Sequence, residues 1–364
     1  MTVVRRALRT VSIAARVGAG AVAVGRLVQA AAAAPPVRTT ITPIDTISVV
    51  IPARDEAARI GPLLAAIVGA PGVGEVIVVD DQSSDATAEL ARAAGATVVS
   101  GGALPAGWAG KAWALQQGIE AARSTWVVTL DADARPDAKL PQALVARMTG
   151  DRLDLLTVGG RFDCPTPGSR WLHPAMLTTL VYRFGPPGST HADPSRTMAN
   201  GQCMAVHRRR FLDAGGMHRV AGAVVEDVAL ARSLAQEGWR VGFLDASDLL
   251  TVRMFESFDD VWTGWGRSLA LPGVEPRRRQ LADLAVIVLA QALPLPRLLL
   301  GRGDLVDVGL AALRLGTLVG TRRAYTRTDA PYWLSPLADP VAALAIARGI
   351  TRRGRQTWRG RSYS

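Results

Sequence analysis

Two carboxylates one residue apart, Asp131 and Asp133, have the most evident chemical potential in this sequence. They directly follow a short apolar run, Trp126–Leu130, which is typical of a buried parallel strand. In α/β sheets, ligands bind at the carboxyl ends of the strands. Carboxylate oxygens are also the donors with which proteins bind a hard divalent cation and its phosphates. The triplet therefore predicts a metal and phosphate site, although taken alone it would also fit a solvated turn at a strand end.

A second acidic pair, Asp80 and Asp81, ends another apolar run. An acidic residue at the end of the second strand of a nucleotide-binding unit can accept hydrogen bonds from ribose hydroxyls or a base edge. The alternative is a helix N-terminus at which extra acid favours the macrodipole. The segment Pro52–Glu56 stands where a dehydrogenase would carry Gly-x-Gly-x-x-Gly, which argues against dinucleotide binding.

Two glycine-containing segments suggest contacts to phosphate and sugar. In Gly107–Lys111 the glycines allow the backbone to approach a phosphate and the lysine supplies a point charge, although a turn before a helix is the alternative. The segment lacks the spacing of a P-loop, so ATP hydrolysis is not expected. Asn200-Gly201-Gln202 supplies amide donors and acceptors of the kind that recognise sugar hydroxyls.

Two later motifs each allow two interpretations. Glu226-Asp227 precedes an apolar helical stretch, so it predicts either a helix cap or a general base. Trp262–Arg267 places two indoles near an arginine, which can bind a diphosphate while the rings stack on a sugar. The alternative for that segment is an amphipathic interfacial helix with an aromatic belt.

The sequence gives little support for a disulfide framework, a cysteine or histidine metal site, or a serine nucleophile. Cys164 and Cys203 form neither a disulfide framework nor a metal-binding spacing, so free thiols in a domain that faces the cytosol are expected. The four histidines are scattered without the spacing of a metal site. A Gly-x-Ser-x-Gly nucleophile elbow is absent from the sequence.

The elements that must position these residues alternate between strand and helix from residue 47 onward. Strands are predicted at Ile47–Ile51, Glu75–Asp80, Thr97–Ser100, Trp126–Leu130, Asp154–Gly159 and Cys203–Val206. Helices are predicted at Glu56–Val68, Asp85–Ala94 and Lys111–Ala122, the second with Ser83, Ser84 and Asp85 as capping candidates. This order predicts an α/β fold, with a mostly parallel sheet and helices on both of its faces.

The positive charge of the chain, +11 in total, is concentrated at its two ends. Residues 1–45 contain six arginines and one aspartate, and residues 321–364 contain nine arginines and two aspartates. The centre lacks the basic patches interleaved with aromatics that are typical of nucleic-acid binding, so we expect no nucleic-acid partner. Basic ends beside apolar segments fit the cytoplasmic side of a membrane with anionic lipids, with a solvated basic tail as the alternative.

The N-terminal apolar segment, Val11–Ala34, is interrupted by Arg16 and Arg26. Two arginines are costly at bilayer depth, so a surface-lying amphipathic helix competes with a signal anchor. A removed signal peptide is not expected, because no convincing cleavage site precedes Pro35.

The C-terminal region is apolar but repeatedly interrupted by charged residues and prolines. The segments Leu281–Leu300, Leu305–Gly320 and Ser335–Ile350 each fall short of a clean span of about 20 residues. They predict membrane-embedded, re-entrant or interfacial helices, and the alternative is a soluble helical appendage.

Taken in order, the motifs Pro52–Glu56, Val79–Thr87, Leu130–Asp133, Asn200–Gln202 and Glu226-Asp227 resemble those of family 2 glycosyltransferases with the GT-A fold. The segments Gly107–Lys111, Trp262–Arg267 and Thr357–Tyr363 resemble a membrane-associated subgroup that includes carotenoid and hopanoid-associated glycosyltransferases. The resemblance covers roughly residues 45–270, which would form the GT-A catalytic domain. The composition of the remaining residues predicts a basic and apolar N-terminal helix, either an anchor or an interfacial helix, at residues 1–44. Residues 271–364 would form an apolar helical, membrane-associated region with a basic tail.

The resemblance also implies roles for single residues. Asp131 and Asp133 would hold Mg²⁺ or Mn²⁺ on the donor diphosphate. Asp227 would be the general base that deprotonates the acceptor, with Glu226 second. The residues implied to bind the nucleotide-sugar are Pro52, Asp55, Glu56, Asp80, Asp81, Lys111, Asp131, Asn200, Gly201, Gln202, Trp265 and Arg267. Among these, Asp55 and Asp81 would contact the nucleoside with support from Asp80, Lys111 would lie beside the phosphates, and Asn200–Gln202 would line the sugar.

The implied activity is an inverting, metal-dependent hexosyltransferase of class EC 2.4. It would move one sugar from a nucleotide-sugar to a hydroxyl or carboxyl of a membrane lipid, with the catalytic domain on the cytoplasmic side. The Gln-x-x-Arg-Trp motif of processive members is absent, and Trp265 and Arg267 stand in that region in another order, which favours transfer of a single sugar. The alternatives are a nucleotidyltransferase of similar α/β fold and a non-catalytic membrane scaffold with a degenerate glycosyltransferase fold.

Overall fold

The computed structural model describes residues 2–39, 46–190, 192–351, 356–358 and 361–363. The strands are β1 (Ile47–Ala53), β2 (Val73–Asp80), β3 (Thr97–Ser100), β4 (Trp126–Leu130), β5 (Ala134–Pro136), β6 (Leu155–Gly159), β7 (Arg161–Asp163), β8 (Cys203–His207), β9 (Val241–Asp245), β10 (Leu250–Arg253), β11 (Gln356–Trp358) and β12 (Arg361–Tyr363). The helices are α1 (Thr2–Val28), α2 (Ile60–Ile67), α3 (Thr87–Ala93), α4 (Gly110–Ala121), α5 (Leu140–Asp151), α6 (Pro167–Phe184), α7 (Arg208–Asp213), α8 (Glu226–Gln236), α9 (Phe258–Ser268), α10 (Arg277–Ile287), α11 (Pro294–Leu299), α12 (Leu305–Thr321), α13 (Ala330–Trp333) and α14 (Asp339–Thr351).

The chain forms two compact units, each built from separate segments. Residues 34–161, 190–253 and 354–364 form what we call the α/β unit. Residues 1–33, 162–189 and 254–353 form the helical unit. The helix α6 belongs to the helical unit because its apolar residues, such as Leu172 and Met176, are buried in that unit's core.

The sequential division at residues 44/45 and 270/271 stays a prediction, and its first boundary lies outside the described residues. The compact units instead place residues 162–189 and 254–270 with the helical segments rather than with the sheet.

A seven-stranded sheet in the order β3-β2-β1-β4-β8-β6-β9 lies at the centre of the α/β unit. The pairs β1–β2, β2–β3, β1–β4 and β6–β9 are parallel, whereas β8 runs antiparallel to both β4 and β6. The predicted α/β fold with a mostly parallel, helix-flanked sheet is therefore confirmed. The predicted bounds of β3 and β4 agree with the structure, whereas the short strand pair β5–β10 has no clear sequence signal.

The topology brings the chemical motifs to one edge of this sheet. Because β1, β2 and β4 are parallel, the residues that follow Ala53, Asp80 and Leu130 leave the sheet on the same side. The antiparallel strand β8 begins at that edge, since Cys203 pairs with Leu130. The segment that immediately precedes Cys203 is thereby placed beside the end of β4.

Helix α4 packs closely against the sheet through a glycine. A Cβ atom on Gly118 would lie 2.4 Å from Cγ1 of Val50 and 2.8 Å from Cγ2 of Val79. A helix that returns antiparallel to the strands has its N-terminus at their carboxyl edge. Lys111, in the first turn of α4, is therefore positioned at the same edge as the ends of β1, β2 and β4.

Two predicted helix starts differ from those of the structure. Helix α2 begins at Ile60 rather than at Glu56, since its N-cap residue Arg59, with φ −125° and ψ −27°, is not helical. Helix α3 begins at Thr87, and its N-cap Ala86 makes no side-chain capping bond. Of the predicted caps, Asp85 accepts from the N–H of Thr87 at 3.0 Å, whereas Ser83 and Ser84 bind the loop of Asp55.

The helical unit contains several nearly buried ion pairs. Arg16 of α1 is 1% exposed and forms a bidentate pair with Asp304, with Nη1–Oδ1 and Nη2–Oδ2 distances of 3.0 and 2.7 Å. It also donates to Asp307 at 2.6 Å. Arg16, whose charge argues against a membrane span in the sequence, is thus ion-paired with two carboxylates in the structure.

Two helical segments of 23 residues each, Arg6–Val28 and Arg277–Leu299, are long and apolar enough to cross a membrane. The second differs from the sequence-based expectation of an interrupted segment. Helix α10 continues through a π-helical turn at Val288–Ala292 into α11, which has Pro294 in its first turn, where proline is tolerated. Core helices of soluble proteins and signal sequences also meet these two criteria of length and composition.

Candidate active site

Lys111 connects three motifs at the carboxyl edge of the sheet. Its ammonium Nζ lies 2.8 Å from Asp131 Oδ1 and 3.3 Å from Glu226 Oε1. It also donates a hydrogen bond of 3.2 Å to the carbonyl oxygen of Gly201. The backbone N–H of Asp131 donates to the carbonyl of Gln202, which fixes the end of β4 beside the segment that precedes β8. Residues from α4, β4, the β8 loop and α8 thus converge on one group.

Asp227 is held at the N-terminus of α8 by two backbone donors. Its Oδ2 accepts from the N–H of Gly201 at 2.7 Å, and its Oδ1 accepts from the N–H of Val228 at 2.9 Å. The N-cap residue of α8 is Val225, without a side-chain capping bond. Neither Glu226 nor Asp227 is therefore the N-cap residue, and the Asp227 carboxylate is oriented toward the Gly201 loop.

Burial and mutual repulsion shift the acidity of this cluster. Burial raises the pKa of Asp131 to about 6, against the lowering effect of Lys111. Burial, together with the charge of Glu226, raises the pKa of Asp227 to about 6. For Lys111, burial alone would lower the pKa, but the carboxylates of Asp131 and Glu226 outweigh it, so the pKa is raised. The lysine is therefore a fixed positive charge in a cluster in which the pKa values of Asp131 and Asp227 are raised to about 6.

The carboxylate of Asp133 has one oxygen whose hydrogen-bonding capacity is unused. Its Oδ1 atom is buried and has no hydrogen-bond partner among the described residues. Burial and the nearby Glu56 raise its pKa, against the lowering effect of Lys111 and Arg59. Within the described part of the chain, no three His, Cys, Asp or Glu side chains are grouped to hold a metal ion. Two carboxylates nevertheless suit Mg²⁺ or Mn²⁺, since such ions commonly use one or two carboxylates together with phosphate oxygens.

A second polar cluster lies where β1 and β2 end. Asp55 adopts a positive φ of 52°, and its Oδ1 accepts from both the N–H and the hydroxyl of Ser84, at 2.7 and 3.0 Å. The backbone hydrogen bond from Ser84, followed by the hydroxyl bond, lowers the pKa of Asp55. Ser83 Oγ accepts from the N–H of Asp55 at 3.0 Å. The two serines thus fix the loop conformation around Asp55 rather than capping α3.

Arg54 contacts Asp81, and the sequence alone does not predict this contact. Its Nη1 donates to the carbonyl of Asp81 at 2.8 Å and lies 3.8 Å from the Asp81 carboxylate. Asp81 itself is buried and donates its N–H to Ala53, so it bridges β1 and β2. The available signal in the sequence is that Arg54 lies within the motif Pro52–Glu56.

The other sequence-predicted residues of the α/β unit have local partners. Asp80 accepts from the N–H of Ser83 at 3.3 Å, and Glu56 pairs with Arg59 at 2.8 Å. Pro52 lies inside β1, opposite Val79.

Asn200 and Gln202 bind each other. Asn200 Nδ2 donates to Gln202 Oε1 at 2.9 Å, and the N–H of Gln202 donates to Asn200 Oδ1 at 3.1 Å. The pair stiffens the loop that carries Gly201.

Trp265 and Arg267 belong to α9 of the helical unit. The Trp265 ring packs against His173 and Phe162, with centroid distances of 4.1 and 6.1 Å. The side chain of Arg267 lies outside the described residues. A contribution of either residue to nucleotide-sugar binding stays a prediction.

Comparisons with known proteins agree with this fold. The chain is 28% identical over 233 residues to the 4,4'-diaponeurosporenoate glycosyltransferase of Staphylococcus aureus, which corresponds to 62% of this chain and 60% of that protein. A mannosyltransferase from Pyrobaculum calidifontis, solved in complex with GDP-Man and Mn²⁺, has a TM-score of 0.56 at 18% identity, covering 93% of this chain and 99% of that one. The latter likeness concerns the fold alone.

The match to a protein family covers much of the region that carries the cluster. Residues 48–216 match the family described as glycosyl transferase family 2, and they include Asp55, Asp81, Lys111 and Asp131. With the sheet topology and the neighbour of known structure, the fold is GT-A. The chain therefore contains a region, residues 48–216, that matches glycosyl transferase family 2, and it resembles a carotenoid-associated glycosyltransferase.

Proposed function

We propose that this protein is an inverting glycosyltransferase that moves one sugar from a nucleotide-sugar donor to a hydroxyl or carboxyl group of a membrane lipid. The observation that carries the proposal is the convergence of Lys111, Asp131, Glu226 and Asp227 at one sheet edge. Asp131 and Glu226 lie 2.8 and 3.3 Å from the ammonium group of Lys111, and Asp227 accepts from the N–H of Gly201 at 2.7 Å. Burying several charged side chains together costs free energy. A degenerate, non-catalytic scaffold would have no need of such a cluster, so the cluster favours an enzyme.

The donor diphosphate would lie at Asp131 and Asp133. These two side chains would hold Mg²⁺ or Mn²⁺, and the buried, unpartnered Oδ1 of Asp133 supports this assignment. A bound divalent cation supplies charge neutralisation for the leaving nucleoside diphosphate. Lys111 would add a second positive charge on the same side, because its ammonium group already lies 2.8 Å from Asp131. The mannosyltransferase of similar fold was solved with GDP-Man and Mn²⁺, which is consistent with this arrangement.

The nucleoside would bind where β1 and β2 end. Asp55 is held in place by Ser84, and Asp81 is held by Arg54 and the backbone of Ala53. Carboxylates fixed in this way can accept hydrogen bonds from ribose hydroxyls or a base edge without further ordering.

Asp227 would accept the proton of the acceptor group. With a pKa of about 6 it is mostly deprotonated at neutral pH, yet it is more basic than an ordinary aspartate. A single base combined with in-line attack opposite the leaving diphosphate gives inversion at the anomeric carbon. Glu226 would act on Asp227 through its charge, since it binds Lys111 rather than a backbone donor.

A lipid acceptor and a membrane location are supported by the surface of the helical unit. Among the described residues, every large hydrophobic side chain that is strongly exposed belongs to the helical unit except Leu90. Exposed apolar surface of this extent is typical of a membrane or partner interface. The arginine-rich chain ends would favour an anionic cytoplasmic leaflet, and a relative is named for a diaponeurosporenoate acceptor.

Release of nucleoside diphosphate would test the proposal. The full chain is incubated with a panel of nucleotide-sugars, Mn²⁺ and mixed membrane lipids, and the variants Asp131→Asn and Asp227→Asn are compared with Asp248→Asn, an exposed control. We expect turnover with at least one donor that both site variants lose and that the control retains. Absence of turnover with every donor, or release of pyrophosphate from nucleoside triphosphates instead, would contradict sugar transfer.

The membrane location has its own test. Flotation with vesicles that contain anionic lipid should carry the protein upward at low salt. Protein that stays at the bottom of the gradient under those conditions would contradict membrane association while leaving the transferase activity open to the first assay.

A further inference from the structure

Helix α1 presents an uncharged stripe along one side. Residues spaced by alternating steps of four and three share one side of a helix. One such set in α1 is exposed along about 27 Å, at 1.5 Å per residue, and consists of Val4, Leu8, Val11, Ala15, Gly18 and Val22. Its first three members are 64–66% exposed. We call this set the α1 stripe.

The charged residues of the N-terminal half of α1 lie away from the stripe. At about 100° per residue, Arg6 and Arg9 lie roughly 140–160° around the helix axis from it. Both arginines are exposed. Arg26 follows the end of the stripe, where a long side chain can reach a polar environment. An uncharged side opposite arginines is the pattern of a helix that lies in a membrane interface.

The middle of α1 is tied to a loop of irregular backbone. Arg16 lies about 15 Å along the axis from Arg6 and about 18 Å from Val28, so it is near the centre of that candidate span. Its guanidinium lies 2.7 Å from Asp304, the N-cap residue of α12. Asp304 ends the loop 300–304 between α11 and α12, in which residues 301–303 are exposed. The loop is therefore held within one arginine side chain of the centre of α1.

A crossing α1 would bring this loop into the hydrocarbon of a bilayer. The hydrocarbon core is about 30 Å thick, so the centre of a crossing helix lies about 15 Å from either surface. Irregular backbone that faces lipid does not occur at that depth, and an exposed arginine such as Arg302 is costly there. At the interface, by contrast, the loop and Arg302 remain in contact with water and lipid phosphates.

The charges of α1 favour a lipid surface as the partner of the stripe. A leaflet offers hydrocarbon to the stripe and anionic phosphates to Arg6 and Arg9 at nearly the same depth. A second protein chain would have to supply both an apolar groove and carboxylates.

We propose that α1 binds one leaflet of an anionic membrane by lying in its plane, with the α1 stripe toward the acyl chains, and does not cross the bilayer. This rests on the proposed membrane location but requires no sugar transfer.

Depth-dependent quenching along α1 tests this proposal. The full chain carries an environment-sensitive dye on one introduced cysteine, in the variants Val4→Cys, Val11→Cys, Gly18→Cys and Val22→Cys. Gly18 has nothing within 4 Å of its Cβ position, so a cysteine fits there. Cys164 and Cys203 are buried, and wild-type protein measures any labelling of them. The vesicles contain phosphatidylcholine, phosphatidylglycerol and a lipid with a doxyl quencher either near the headgroup or near the chain end.

An α1 that lies in the plane should be quenched more by the shallow quencher than by the deep one at all four positions. The ratio of the two should agree within twofold along the helix. A crossing helix would give the deepest quenching at Gly18, near the centre of the candidate span, and that result would overturn the proposal.

Thr10 and Val11 provide a matched pair, because both are exposed and only Val11 belongs to the stripe. The two residues differ by about 1.5 Å along the axis but by about 100° around it. We expect shallow quenching about threefold stronger for Val11→Cys than for Thr10→Cys. Equal quenching of the pair would contradict the in-plane orientation.

Two further outcomes would also overturn the proposal. Absence of quenching at every position, in protein that floats with the vesicles, would show that something other than lipid covers the stripe. Protein that does not float would contradict the membrane location and this proposal together. A failure of the transferase assay alone leaves the quenching result standing.

Discussion

The ammonium group of Lys111 and the carboxylate of Asp131 form a close two-oxygen ion pair, with Nζ 2.8 Å from Oδ1 and 3.0 Å from Oδ2. The same ammonium group lies 3.3 Å from Glu226, so one lysine balances carboxylates that come from β4 and from α8. Removal of this charge would leave like charges facing each other in a partly buried site.

Lys111→Met tests the importance of that balance. We expect kcat/KM for sugar transfer to fall about 10- to 100-fold, the range typical of losing a group that supports metal or substrate ligands. The matched control is Lys139→Met, because Lys139 is the other lysine of the chain and is exposed in front of α5. Equal activity of both variants would mean that Lys111 has no part in the reaction.

Asp133→Asn should change the metal requirement. Because Asp133 Oδ1 is buried and unpartnered, we expect it to gain most from a cation. The variant should need at least tenfold more Mn²⁺ for half-maximal activity, and chelation should abolish the activity of the wild type. A Mn²⁺ titration of nucleoside diphosphate release measures this, and an unchanged midpoint would contradict the assignment of Asp133 as a ligand.

The pH profile should show an acidic limb near pH 6. The pKa of Asp227 is raised to about 6 by burial and by Glu226, and the base must be deprotonated to act. Activity should therefore be half-maximal near pH 6 and fall about tenfold per unit below it. The profile of kcat/KM is measured at saturating Mn²⁺, which keeps Asp131 deprotonated.

Glu226→Gln gives this interpretation a directional control. Loss of the neighbouring negative charge lowers the pKa of Asp227, so the acidic limb should move to lower pH while activity at neutral pH persists. A limb that stays in place or moves upward would show that another group controls the profile.

Gly118→Ala tests how closely α4 packs against the sheet. The added Cβ would lie 2.4 Å from Val50 Cγ1, so the helix must shift and the free energy of unfolding should fall by about 1–3 kcal/mol. Gly61 in α2 is the matched control, because nothing lies within 4 Å of its Cβ position and alanine is the better helix former. Thermal unfolding should show a lower midpoint for Gly118→Ala and an equal or higher one for Gly61→Ala. The reverse order would mean that α4 does not pack as described.

The sheet could be predicted because its strands are apolar, short and separated by clear helical segments. Strand β4 has the predicted bounds, and its buried residues leave little freedom in its register. The starts of α2 and α3 could not be predicted, since Ser83 and Ser84 suit helix caps equally well until the loop of Asp55 comes within hydrogen-bonding distance. Local propensity cannot reveal a partner that is 28 residues away.

Motif order singles out the acidic residues that converge at the sheet edge, but it does not predict which side chains pair with one another. The pairing of Lys111 with both Asp131 and Glu226 depends on the closeness of β4, α4 and α8. The residues that neighbour each position in the sequence do not reveal this closeness. The grouping of α6 with the helical unit depends likewise on contacts made across more than 100 residues, such as that between Gln291 and Ala175.

The pair formed by Arg16 and Asp304 also constrains how the chain is made, because 288 residues separate the two partners. At a synthesis rate of about 5–20 residues per second, roughly 15 to 60 s pass between the translation of the first and that of the second. During that time the guanidinium of the emerging N-terminal helix must be accommodated by water, a lipid phosphate or a chaperone. Completion of the helical unit therefore waits for the synthesis of residue 304, and a ribosome stalled before that residue would leave α1 without its bidentate carboxylate partner.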